Sequence, residues 1–259
     1  MTQQPATLLP RQHRSRRPVG RMFAGLLCMA LSLSFALAQA ADIVPTRSVT
    51  ANGMTVLFLE QHFLPTVEIH ALVKVGSAQD PPDKAGLANL TASLLDEGTL
   101  TRTSRQIAEQ IDFVGGSLEA HAAEDFTTAS TRVLKKDADL GFALLADMLQ
   151  HPAFHKQEFE RVRTQILGEI VSDDDDPGNV AMKAFHQLIF HGHPYSWPAH
   201  GTEETLNKIT VADIQQFHAR EYLPNQTILV IVGDLTQDQV AALVQTHFGS
   251  WKKGTPSPY

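Results

Sequence analysis

The run Thr227-Ile228-Leu229-Val230-Ile231-Val232 limits this chain more than any other stretch. It is continuously apolar and reads as a central strand buried on both faces. Such a strand needs neighbours on either side, and these come from far away in the sequence. Asn52-Gly53 separates apolar runs at 46–50 and 54–60, the pattern of a two-residue hairpin turn. Residues 66–75 alternate as a third strand, with Val67, Ile69, Ala71, Val73 and Val75 on one side, and end at Gly76-Ser77. Residues 117–133 alternate as a strand pair with a turn near Glu124-Asp125.

Helical patterns fill the intervals. Thr103 or Ser104 caps a helix whose buried stripe is Ile107, Ile111 and Val114, and Gly115-Gly116 ends it. Residues 137–149 place Leu140, Leu144, Leu145 and Met148 inward, and residues 157–171 do the same with Phe159, Val162, Ile166 and Ile170. Asp173-Asp174-Asp175-Asp176-Pro177 lacks the ligand spacing of a calcium loop. The simpler reading is that it breaks one helix, while Asp176 caps the next (to about Phe190) and Pro177 takes its first turn. Thr210-Val211-Ala212-Asp213 is a capping box before a helix over 214–222, and a last helix covers 237–248.

Charge divides the chain into two parts. Residues 1–41 carry Arg11, Arg14, Arg16, Arg17 and Arg21 and no acidic residue. An uncharged apolar run from Met22 to about Ala38 follows, then Ala38-Gln39-Ala40, a small-x-small cleavage pattern. Residues 1–40 thus read as a secretory signal peptide cleaved near Ala40, with export to the periplasm or cell envelope and no stable membrane insertion afterwards. The apolar run, about 17 residues, is near the lower limit for a bilayer span, so a retained anchor is the competing reading. Five of the 21 Lys and Arg leave with the leader; 16 remain against 28 acidic residues, a net charge of −12. Such a surface excludes nucleic acid as a partner. The single cysteine, Cys28, leaves too, which excludes disulfides and Cys-based metal sites.

The stretch Gly86-Leu87-Ala88-Asn89-Leu90-Thr91-Ala92-Ser93-Leu94-Leu95-Asp96-Glu97-Gly98-Thr99 reads as a short helix between two glycines, with Leu87, Leu90, Leu94 and Leu95 buried. Asn89, Ala92 and Ser93 lie on its other face. Before it come the Asn-Gly hairpin, the alternating strand, Gly76-Ser77 and the Pro81-Pro82 loop. In this order and spacing the segment resembles the active-site region of the pitrilysin/insulinase family of zinc metallopeptidases. His193-Pro194-Tyr195 and Gly201-Thr202-Glu203-Glu204 resemble it again. The resemblance covers about residues 45–255. It implies an α+β domain: a mixed, mostly antiparallel sheet covered by helices, like one domain of a mitochondrial processing peptidase. The domain would occupy residues 41–250, with residues 251–259 beginning a linker.

In active members the helix bears His-x-x-Glu-His, the inverted zincin motif. The resemblance puts Asn89 at the first His, Ala92 at the Glu and Ser93 at the second His. Two His at i and i+4 could reach one zinc, and a Glu at 92 could take a proton from its water. An amide, a hydroxyl and a methyl group do neither. The third ligand of active relatives is a Glu about 76 residues past the second His, which is Glu169 here, while a second acidic position falls on Val162. The expectation is therefore no catalytic residue and no metal: Asn89, Ala92 and Ser93 are degenerate positions and Glu169 is a remnant. No cofactor is expected, and zinc belongs only to an active partner. His186, His191, His193 and His200 form the one other set that could bind metal, at no spacing typical of zinc.

The resemblance further implies a secreted, non-catalytic subunit that binds extended peptide beside an active zinc-peptidase paralogue or a second domain of the same family. The alternatives are a stand-alone peptide-binding or chaperone-like domain, and a hydrolase with a relocated metal site at Glu169 or His193.

Overall fold

The computed structural model describes residues 44–256, so the expected leader over 1–40 and residues 257–259 lie outside it. The described residues form a six-stranded sheet in the order β1-β2-β6-β3-β5-β4. These strands are β1 (Thr46–Val49), β2 (Thr55–Glu60), β3 (Thr66–Val73), β4 (Ser117–Ala122), β5 (Thr127–Leu134) and β6 (Thr227–Gly233). The pair β2 and β6 is parallel and the others are antiparallel. The α+β class and the mostly antiparallel sheet expected from the sequence are what the chain forms.

Two expectations change. β6 is central, but its burial alternates along the strand. Leu229 and Ile231 are fully buried, whereas Ile228, Val230 and Val232 are only half-buried. The sheet therefore has one covered face and one partly open face. Apolar residues persist on the open face because it is sheltered enough to favour β-branched side chains. On that face Arg132 also pairs with Glu68 at 2.6 Å. The Asn52-Gly53 hairpin closes over three residues rather than two: Thr50 N–H donates to the Met54 carbonyl and Gly53 N–H to the Thr50 carbonyl, both at 2.9 Å, with Gly53 at φ +89°. The Asn52 side chain anchors this loop, its amide donating to the carbonyls of Phe248 (2.8 Å) and Trp251 (3.0 Å).

The covered face carries Val56, Phe58, Val67, Ile69, Ala71, Val73, Ala129, Val133, Leu229 and Ile231. Helices α3 (Ala138–Gln150) and α8 (Gln237–Phe248) pack against the sheet and each other, supplying Phe142, Leu145, Met148, Leu149, Val240, Val244 and Phe248 to the same core. The remaining helices are α1 (Leu87–Ala92), α2 (Ser104–Phe113), α4 (Lys156–Asp174), α5 (Pro177–Ile189), α6 (Glu203–Leu206) and α7 (Val211–Glu221). Thr103 and Thr210 cap α2 and α7 as their sequences require. In α2, Ile107 and Ile111 are buried and Val114, just past its end, is half-buried. The aspartate run divides otherwise than expected. Asp173 and Asp174 extend α4, and only Asp176 acts as a break, accepting from Gly178 N–H (2.7 Å) to start α5 at Pro177. Residues 251–256 have no regular structure, yet Trp251 is buried and Gly254 is tied to Asn225 in both directions.

Candidate functional site

Helix α1 is short, and its position is fixed from both ends. Gly86 has φ +96°, and a Cβ there would lie 2.7 Å from the carbonyl oxygen of His200. Gly201 has φ +80°, and a Cβ there would lie 2.2 Å from the Ala85 carbonyl. Only glycine satisfies both the backbone angle and the contact. The pair locks the start of α1 to the 200–201 turn. Asp80 holds the same end: its two carboxylate oxygens accept from Gly86 N–H (2.8 Å) and Ala88 N–H (2.9 Å). Burial pushes this carboxyl up to about 7, against those hydrogen bonds.

The far end is held by a polar network. Asp147 accepts from Thr99 Oγ1 (2.7 Å), Thr101 Oγ1 (2.8 Å) and Arg102 (2.6 Å). Burial alone would raise its pKa, but these donors leave it lowered. Glu97 accepts from Ser104 (3.0 Å) and pairs with Arg161 of α4 at 2.5 Å, linking the α1 segment to the helix that bears Glu169. Beside it, burial and the Glu97 charge push Asp96 up to about 6.

The four leucines expected inside are buried. Asn89 and Ser93 are half-buried, and Ser93 N–H donates to the Asn89 carbonyl at 2.9 Å, so the i to i+4 relation holds. Ala92 departs from the expected open face, since it is 0% exposed. The donor set does not suit zinc. An amide oxygen and a hydroxyl are weak neutral donors, and a methyl group cannot accept a proton. Glu169 is exposed on α4, accepting from Gln165 at 3.1 Å. His186, His191 and His193 are exposed, with His193 capping the turn at Pro194–Ser196. His200 is half-buried, and burial with the Lys183 charge lowers its pKa. No group of three or more His, Cys, Asp or Glu among the described residues is placed to hold a metal ion.

Two features were not singled out in the sequence. Asp80 acts on α1 from six and eight residues away, and its signal was the Asp-Pro-Pro turn. Residues 77–85 and 191–198 also enclose a cavity of about 600 Å³ that includes Asp80 and Trp197. Tyr195 Oη reaches across from the second segment to donate to Asp125 in the β4–β5 turn at 2.6 Å.

Residues 55–203 match the family described as Insulinase (Peptidase family M16), and residues 208–259 match the Peptidase M16 inactive domain. The chain belongs to the insulinase family of peptidases. An uncharacterized zinc protease of Mycobacterium leprae (strain TN) is 32% identical over 204 residues, covering 79% of this chain and 46% of that protein. The crystal structure of a peptidase M16 inactive domain from Pseudomonas fluorescens superposes with a TM-score of 0.79 at 26% identity, covering 83% of this chain and 52% of that one. The periplasmic protease PqqL of Escherichia coli shares the fold, with a TM-score of 0.76 at 18% identity over 84% of this chain and 25% of that one. The chain spans about half the length of the curated relatives it matches. Among the described residues, no helix is long and apolar enough to cross a membrane.

Proposed function

We propose that this chain is a non-catalytic member of its family, exported to the cell envelope, which binds extended peptide and serves an active paralogue or a second domain of the same kind. The observation that carries the reading is the side-chain set on α1. Asn89 and Ser93 stand one helical turn apart with the methyl of Ala92 buried beside them. Residues 1–40 would be the signal peptide, which agrees with the word periplasmic in the name of the Escherichia coli neighbour.

Two structural features support the partner and peptide roles. No residue of α5 is buried, and Val180, Met182, Phe185, Leu188 and Ile189 are all substantially exposed. An apolar set of that size is uncommon on the surface of a free domain and fits one that is covered in an assembly. Among the described residues β4 is an edge strand, paired only with β5, and α1 packs against it. Its free N–H and C=O groups offer an extended peptide the ladder of a seventh strand.

The test is reconstitution. Pull-down of the tagged chain from envelope extract is expected to recover a paralogue with an intact His-x-x-Glu-His motif. Mixing the two is expected to change the rate or range of peptide cleavage. Full activity and unchanged range of the paralogue without this chain would defeat the reading. Capture of extended peptides by the isolated chain, with no protease attached, would favour the stand-alone binding domain.

A further inference from the structure

The cavity between residues 77–85 and 191–198 lies apart from the degenerate face of α1 and has a distinct chemical character. Its walls include Pro81, Pro82, His191, His193 and Trp197. Among the described residues, Asp80 is its only acidic lining residue and no Lys or Arg lines it. At about 600 Å³ it falls within the range of small-ligand sites.

Asp80 is what makes the cavity selective. Its partners are backbone N–H groups at the start of α1, and among the described residues no cationic side chain offsets its charge. Burial without a countercharge is what raises its pKa. A ligand cation would supply the missing charge and a charge-assisted hydrogen bond. Trp197, nearly half exposed at 46%, offers a ring face to the same cation or to its stem.

The cavity also sits at the end of the free sheet edge. Ser77 N–H donates to the Ala123 carbonyl (3.0 Å) and Ala78 N–H to the Glu124 carbonyl (2.8 Å), fastening one wall to the residues that follow β4. The bond from Tyr195 to Asp125 fastens the other wall to the same turn.

We propose that this cavity takes the side chain of an arginine or lysine from a peptide bound along the free edge of β4. The apolar stem lies against Pro81, Pro82 and Trp197, and the cation meets Asp80. The acidic balance of the chain, net −7, works in the same direction. This inference rests on the peptide-binding reading above, and the experiment separates the two.

The full chain is titrated by calorimetry with acetyl-Ala-Ala-Arg-Ala-Ala-amide and with the counterparts carrying Leu or Glu at the centre. Acetyl-arginine-amide is the small probe. Tryptophan emission reports on the site, because Trp197 is exposed and the only other tryptophan, Trp251, is buried. The Arg peptide is expected to bind about 10-fold tighter than either counterpart and to shift the emission. Asp80→Asn is expected to remove that preference. Because Asp80 also holds α1, a second variant is needed: Gln187→Lys puts a cation on an exposed lining position and is expected to weaken the Arg peptide alone. Equal binding of the Arg and Leu peptides would overturn the cation pocket and leave peptide binding standing. Binding of acetyl-arginine-amide with a Trp197 shift, but of no peptide, would keep the pocket and overturn the peptide reading. Binding of none of these probes would overturn both.

Discussion

Helices α1 and α5 have opposite relations to the rest of the domain. Five of the six residues of α1 are buried, and Asp80, the Gly86–Gly201 lock and the Asp147 network hold its ends. α5 is about twice as long and has no buried residue. α1 is thus firmly built in, and the outward-facing α5 carries the exposed apolar surface. A rigid α1 would serve to orient ligands in an active enzyme. In this chain the same helix also seats the core through Leu87, Ala88 and Leu90.

That contrast can be broken by mutation. Asp147→Ala should cost about 3–4 kcal/mol in a urea melt, because it strands Arg102 and two threonine hydroxyls around a vacated site. Ala92→Glu should cost about 2–3 kcal/mol, since position 92 has no exposure to solvate a carboxylate. A melting temperature equal to wild type would mean that the α1 site can still open to admit a catalytic group. By contrast, Phe185→Ser with Leu188→Ser on α5 should change stability by no more than about 0.5 kcal/mol and reduce recovery of the paralogue in the envelope pull-down. A large loss of stability there would show that α5 is packed after all.

pH sharpens the comparison from within the core. Burial pushes the pKa of His218 down to about 4, with its ring against the Leu149 carbonyl at 2.9 Å. The folded pKa lies below the unfolded value of 6.5, so the unfolded chain binds the proton first. Stability is full above about pH 6.5 and falls as pH drops toward 4, by roughly 2–3 kcal/mol from this group. Asp80 acts oppositely: its raised pKa gives stability that is lost as pH rises from about 4 to about 7. The stability difference between wild type and His218→Asn, followed over pH 4–7, isolates the histidine. A difference independent of pH would contradict the burial argument.

Period and capping made most of the fold legible in the sequence. The alternation of Val67, Ile69, Ala71 and Val73 and the caps at Thr103, Asp176 and Thr210 are local signals, and local geometry obeys them. The misses have long-range causes. A run such as Ile228–Val232 looks the same whether one or both faces are covered, because apolar side chains suit a half-sheltered surface as well. The loop at Asn52 closes over three residues instead of two, and its side-chain anchor at Phe248 lies nearly two hundred residues away. The helix that carries the candidate positions was legible through the Gly-Leu-Ala stretch and its setting. The burial of Ala92 was not, since a face assigned by spacing does not show what packs over it. In the sequence Asp80, a loop aspartate before two prolines, reads as a turn former; the backbone N–H groups it holds are brought to it only by the fold.

The measurement that bears most directly on the proposed absence of a zinc site is the zinc content of the purified chain after equilibration with excess zinc and desalting, read by atomic emission. The account predicts that no zinc is retained, and that Glu169→Ala changes nothing. One zinc retained per chain, and released by Glu169→Ala, would contradict it and return the chain to the metal-dependent members of its family.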